Sequence, residues 1–158
     1  MFVLDKGDIL EVLNQMLDKQ EVNWYYYSAF WSTFIICTEH SKASIEEFLV
    51  NLFKVGLEES DLELLVKGFL IGRQCCQEGS HIFMTYQDWF QQMFGDSVRS
   101  LTNSKKTFTC LMKALTDLVP FDQPSYLRVH ILRPPFVPPK CKDLLSDYII
   151  LAKTRLAD

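Results

Sequence analysis

Two stretches of this 158-residue chain are apolar on more than one side, and that limits what it can fold into. At about 100° per residue, a helix over Val22–Glu39 spreads Trp24, Tyr26, Tyr27, Phe30, Trp31, Phe34, Ile35 and Cys37 over about half its circumference, with Tyr25 and Ile36 on a further face. Only a strip through Ser28, Ser32 and Glu39 suits water. Asp61–Gln77 behaves alike, with Leu62, Leu65, Phe69 and Cys76 on one face and Leu64, Ile71 and Cys75 nearly opposite. A helix with two apolar faces needs neighbours on two sides, as in the inner rows of stacked helical hairpins.

The remaining local signals are helical as well. Ile9, Val12, Leu13, Met16 and Leu17 make one stripe over Asp8–Lys19. Ser44 with Glu47 predicts a capping box for a helix that Gly56 closes, and Ser60 with Glu63 one for a helix to about Gln77, stopped by Gly79. Thr85 with Asp88 opens YQDWFQQMF, Gly95 fits a left-handed C-cap, and Asn103 or Ser104 begins a helix to about Leu118. Pro124 and Pro139 are placed as first-turn prolines, the latter opening a helix Lys140–Ala157. Between Pro134-Pro135 and Pro138-Pro139, Phe136-Val137 should be an extended, buried strut. Gly68 and Gly72 share a face and would let a crossing helix approach closely. The predicted fold is all-α: five or more helices in stacked antiparallel hairpins, a segment of an α-solenoid.

Composition narrows the function classes. With 48% hydrophobic and 23% charged residues the chain is one to be packed, not a disordered tail. A net charge of −4 does not suit a dedicated nucleic-acid binder. The charge is uneven, because residues 126–158 hold 6 Lys/Arg against 3 Asp/Glu and the rest is acidic. We therefore expect residues 1–158 to form one helical segment of a longer solenoid, with acidic hairpins over 1–120 and a proline-braced basic end over 121–158. No apolar run reaches the ~18 residues of a membrane span, and Asp5, Lys6 and Asp8 interrupt a signal-peptide core. Five cysteines, irregularly spaced, point to buried thiols in a reducing, cytosolic or nuclear compartment.

No phosphate-binding glycine loop, Gly-x-Ser-x-Gly elbow or His-Glu-x-x-His motif occurs, and His40, His81 and His130 are scattered. We expect no enzyme activity, catalytic residue, metal or cofactor. In Glu39-His40 the adjacent side chains diverge by about 100°, which suits a helix-end histidine better than an acid–base pair. Cys75-Cys76 with His81 lacks zinc spacing and reads as core. Trp24, Tyr25, Tyr27 and Trp31 are candidate interface or core aromatics, core being the simpler expectation. Arg128, Arg133, Lys140, Lys142, Lys153 and Arg155 are candidate contacts to a partner or to phosphate.

The tract LVPFDQPSYLRVHILRPPFVPPKCKDLLSDYIILAKTRLAD (Leu118–Asp158) carries a family likeness that extends through GSHIFMTYQDWF (Gly79–Phe90) to KQEVNWYYY (Lys19–Tyr27). It resembles the Fanconi anaemia group A family, which implies an internal fragment of a vertebrate-like homologue. The resemblance implies a non-catalytic scaffold of a nuclear ubiquitin-ligase core complex in interstrand cross-link repair. It also implies contacts with other core-complex subunits, including the group G subunit, possible self-association, and a nuclear, also cytoplasmic, location. Nucleic acid is a partner it implies for a full-length chain, not for this segment, and a membrane is not one. No binding residue is carried over from the family. The alternative function, a nucleic-acid-binding module, would use the basic end.

Overall fold

Helix α1 (Ser41–Glu59) buries Ile45, Leu49, Leu52, Phe53 and Leu57, a stripe at spacings of three and four. The computed structural model that shows this describes residues 41–79, His81 and residues 83–158, together with Glu11, Gln15, Tyr27, Ala29, Phe30 and Trp31. Most of the expected helices Asp8–Lys19 and Val22–Glu39, and the Glu39-His40 pair, lie outside the described residues. Among the described residues there is no strand, and no helix is long and apolar enough to cross a membrane.

Gly56 does not close α1. It lies inside the helix, and an added Cβ would come within 2.8 Å of Leu65 Cδ2, so close packing explains the glycine. The helix ends at Ser60, which takes the left-handed conformation (φ 56°) while the Asp61 amide donates to the Gly56 carbonyl at 2.9 Å. That six-to-one bond is a Schellman closure with serine where glycine is usual. Ser60 therefore cannot be the next N-cap. Asp61 is, its carboxylate accepting from the Leu64 amide at 3.1 Å at the start of α2 (Leu62–Gln77). Joined through two residues and packed on each other, α1 and α2 form one helical hairpin.

Gly79, at φ 107°, stops α2 as expected. Helix α3 (Tyr86–Phe94) starts at Thr85, whose hydroxyl accepts from the Asp88 amide at 3.2 Å. Gly95 ends it, but at φ −88°, not in the left-handed region. Space decides that position too, because a Cβ would meet the Gln91 carbonyl oxygen at 2.8 Å. Helix α4 (Lys105–Leu118) opens with a reciprocal box between Ser104 and Thr107. A 3₁₀ turn (Val119–Phe121) leads to α5 (Pro124–Leu132), with Pro124 in its first turn.

Helix α6 spans Lys142–Ala157, not Lys140–Ala157, and Pro139 is outside its first turn. Lys140 is at φ 67° and the Cys141 amide bonds the Pro138 carbonyl, so a tight turn takes up the chain before the helix begins. In the strut, Pro135 and Pro138 are buried and Phe136 and Val137 only half-buried. The three-residue spacing of the two prolines matches the repeat of a polyproline helix, which puts them on one side. The Phe136 amide donates to Phe94 O at 2.8 Å and the Gln91 side-chain amide to Arg133 O at 3.0 Å, tying the strut to the C-terminal turn of α3.

The core is aromatic. Phe53 of α1, Phe69 of α2, and Trp89 and Phe94 of α3 form all six mutual ring pairs, with centroids 5.1–6.4 Å apart. Both glycines of α2 face this cluster and admit a close approach: a Cβ at Gly68 would lie 2.7 Å from Leu52 Cδ2, and one at Gly72 2.7 Å from Trp89 Cη2. Helix α2 packs on α1, α3 and α4, and α4 in turn on α1 and α6, so α2 is the inner helix its two apolar faces predicted.

Trp89 cannot retreat from a methyl at Gly72, because Phe53, Phe69, Tyr86 and Phe94 hold its ring. Gly72→Ala should therefore cost ~1–3 kcal/mol in urea unfolding despite alanine's better helix propensity. A variant as stable as the parent would show that the ring and α2 are not so tightly joined.

Candidate functional site

The chemically distinctive side chains converge in the interior. Arg73 lies on the buried side of α2, 5% exposed, in a run that is otherwise apolar or small. A charge so placed needs a partner, and Asp122, held extended between the 3₁₀ turn and α5, supplies it. The contact is bidentate: Nη1 donates to Asp122 Oδ1 in a very short bond and Nη2 to Oδ2 at 3.1 Å. The guanidinium also stacks over Tyr126, 4.4 Å from the ring centroid, with Tyr86 and Phe69 at 5.5 and 5.6 Å.

Beside this pair runs a second chain of bonds. His130 of α5 is fully buried, with Nε2 2.6 Å from Tyr86 Oη and Nδ1 2.6 Å from Tyr148 Oη. Neutral imidazole has one donor and one acceptor nitrogen, so one tyrosine donates to the ring and the other accepts from it. Together the two networks join α2, α3, the segment after the 3₁₀ turn, α5 and α6. Tyr148 and Asp122 are how the last third of the chain is keyed to α2 and α3.

The electrostatics make the cluster inert. Burial, reinforced by the positive charge of Arg73, pulls the His130 pKa down to about 3, so the ring is neutral at physiological pH. Burial pushes the Tyr86 and Tyr148 hydroxyls above their ordinary value. For Arg73, burial would lower the pKa, but Tyr86 and Asp122 outweigh it and the pKa is raised. Burial lifts the Asp122 carboxyl against the pull of Arg73, which disfavours its charged form, whereas the upward shift of Arg73 favours the charge. The bidentate geometry and the high intrinsic pKa of guanidinium keep both groups charged at neutral pH. Burial also raises Cys75 well above a thiol's usual value and Cys76 to about 12, so neither is a ready thiolate. Among the described residues no three His, Cys, Asp or Glu side chains gather as a metal set. Cys75, Cys76, Cys110 and Cys141 are free thiols.

The residues singled out from the sequence lie elsewhere. Tyr27 and Trp31 are 1% exposed, and Trp31 packs on Phe48 at 5.2 Å, a core position. Trp24 and Tyr25 are outside the described residues. Arg128, Arg133, Lys140, Lys142, Lys153 and Arg155 are all exposed. On α6, Lys142 and Lys153 share a direction but stand about 16 Å apart along the axis, and Arg155 points nearly the opposite way. These three do not form one patch. The Arg73–Asp122 and Tyr86–His130–Tyr148 networks went unseen in the sequence. Its one trace there was an arginine among apolar residues on both sides of a helix.

With the geometry established, comparison with known proteins is informative. The family described as "Fanconi anaemia group A protein N terminus" matches residues 1–158. This chain belongs to the Fanconi anaemia group A family. It is 43% identical over 146 residues to the mouse (Mus musculus) Fanconi anemia group A protein homolog, covering 92% of the chain and 10% of that protein. It is 40% identical over 156 residues to the human (Homo sapiens) Fanconi anemia group A protein, covering 99% of the chain and 11% of that protein. The chain thus spans about a tenth of the length of the curated relatives it matches. No solved structure matches it.

In this group A segment the networks carry two testable consequences. Below pH 6.5 the unfolded chain protonates His130 while the native state does not until about pH 3. The native state therefore loses stability as pH falls through that window, by up to ~1.4 kcal/mol per pH unit from this residue. Urea unfolding at pH 6.5, 5.5 and 5.0 should show that slope, and His130→Gln should flatten it; an unchanged slope in the variant would mean that His130 is not the group responsible. Asp122→Ala should cost ~3–5 kcal/mol by stranding a buried guanidinium, whereas Arg73→Met with Asp122→Leu should recover most of that loss. A double variant as unstable as the single one would contradict this account.

Proposed function

We propose that this chain is a non-catalytic scaffold segment of a nuclear interstrand cross-link repair ubiquitin-ligase core complex, acting through protein–protein contacts. Membership of the group A family along the whole chain carries the proposal. The interior chemistry supports it: the histidine and thiols with shifted pKa values are buried and held away from their reactive forms, which suits rigidity more than turnover. The helical architecture, with an inner helix covered on two sides, suits one stretch of an α-solenoid whose neighbouring hairpins belong to the longer polypeptide. Its partners on this reading are other core-complex subunits, including the group G subunit, in the nucleus and also the cytoplasm.

The test uses the full-length protein in cells that lack it. Asp122→Ala, which should unseat this segment, is expected to reduce recovery of core-complex subunits and survival after a cross-linking agent, and Lys140→Glu with Lys142→Glu to leave both unchanged, since exposed substitutions alter stability by less than about 0.5 kcal/mol. Normal survival and complex recovery with a demonstrably unfolded segment would refute the scaffold role. The nucleic-acid alternative is checked on the chain itself: submicromolar binding to single-stranded DNA at about 150 mM salt, lost on the same double reversal, would establish it instead.

A further inference from the structure

A trough runs along the outer face of α4, between the start of α2 and α6. Two adjoining cavities of about 380 and about 570 Å³ share Leu62, Thr109 and Lys113 and so form one continuous depression. Its far wall is the face of α6 bearing Leu144, Asp147, Tyr148 and Leu151, at helical spacings of three and four. The floor is apolar, from Leu62, Met112, Leu144 and Leu151, and Leu151 remains 40% exposed. Tyr148 forms part of the wall while its hydroxyl is fixed by His130, so that wall is rigid.

The ends differ in charge. Lys105 and Lys106 line one end, with Lys106 Nζ donating to the Glu58 carbonyl at 2.9 Å, while Lys113 lies in the part that the two cavities share. Glu58, Glu59 and Asp61 flank this end from the α1–α2 turn but do not line the trough. Asp117 and Asp147 line the other end. From Lys105 to Asp117 the helix advances about 18 Å, room for three to four turns of a second helix. A phosphate backbone laid along the trough would meet the two aspartates. Two concave surfaces face to face would leave both unfilled, which disfavours a second copy of this chain.

Building on the scaffold reading, we propose that this trough docks an amphipathic helix of a partner protein, acidic where it meets Lys105 and Lys106 and basic where it meets Asp117 and Asp147. Leucine-type side chains of that helix, at spacings of four, three and four, fill the floor against Leu62, Met112, Leu144 and Leu151. Apolar contact supplies most of the affinity, and the two charged ends set direction and select against uniformly charged helices.

The 158-residue chain is titrated, by fluorescence anisotropy, with two labelled helical peptides of about 14 residues, the length that matches the trough. Both carry the same leucine pattern; one has glutamates at one end and lysines at the other, the second has lysines at both ends. The bipolar peptide should bind at least about tenfold tighter than the all-lysine one, and Leu151→Glu should weaken it by a similar factor. Lys105→Glu with Lys106→Glu, at exposed positions that leave the fold intact, should reverse the preference. Equal binding of the two peptides, indifference to both variants, or no binding below about millimolar would overturn the trough assignment and leave the scaffold role to the cellular test. Displacement by single-stranded DNA with a lower Kd, or a dimer in sedimentation that Leu151→Glu dissolves, would overturn it in favour of those occupants.

Discussion

A guanidinium with almost no access to water sits where α2, α3 and the start of α5 meet, and the arrangement of the C-terminal third depends on how it is satisfied. Leaving Arg73 unpaired there would cost several kcal/mol, so any packing of residues 119–158 that fails to deliver Asp122 is disfavoured. Replacing a buried ion pair by apolar residues of similar volume is often neutral or stabilising. What the ion pair adds is selectivity: its bidentate fork accepts one position of the 3₁₀ turn relative to α2, and the ring of Tyr126 over the guanidinium then fixes α5. The Tyr86–His130–Tyr148 chain extends the same constraint to α6. Apolar contacts alone would allow these helices to slide by a turn at modest cost; three fixed polar contacts do not.

Much of this architecture was legible from the sequence, because the signals that place helices are local. Thr85, Ser104 and Pro124 cap or open their helices as their chemistry predicts, and the two apolar faces of Asp61–Gln77 identified the inner helix. The errors share a cause. At Gly56 and Gly95 the glycine was read as a backbone device, when the structure needs it for space against Leu65 and Gln91. At Gly56 that requirement arises from the next helix and leaves no mark on the local pattern, and at Gly95 from the preceding turn of its own helix. Ser60 in the left-handed conformation is the converse, since an ordinary residue serves because the six-to-one bond and the short link to α2 impose the geometry. Pro139 misled because two prolines in succession fit either a helix start or an extended strut, and the turn at Lys140 decides between them.

The candidate site was less legible than the fold. Exposed cations at the C-terminal end drew attention because charge is visible in sequence, yet helix geometry spreads three of them, Lys142, Lys153 and Arg155, around and along α6. The residues with perturbed chemistry, Arg73, Asp122, Tyr86, His130 and Tyr148, come from five separate places, the most distant pair 75 positions apart in number. No spacing rule links an arginine in α2 with an aspartate 49 residues later. Only the oddity of a charge on the buried side of a helix hints that such a partner exists.

These networks also bear on the scaffold role proposed for this segment. A surface that docks partners needs a backbone that does not yield when they bind, because each flexible element ordered on association subtracts from affinity. Here the interior rings pack in six mutual pairs, glycines bring α2 close to its neighbours, and hydrogen-bonded tyrosines hold α6 against α5. Tyr148 belongs to both regimes, its hydroxyl bonded inside and its ring forming part of the outer wall beside Leu144 and Leu151. The buried histidine stays neutral across the physiological range, so that wall does not change with cellular pH. Rigidity in this segment is thus carried inward by uncharged hydrogen bonds and one sealed ion pair, and it does not depend on the outer faces of α4 and α6.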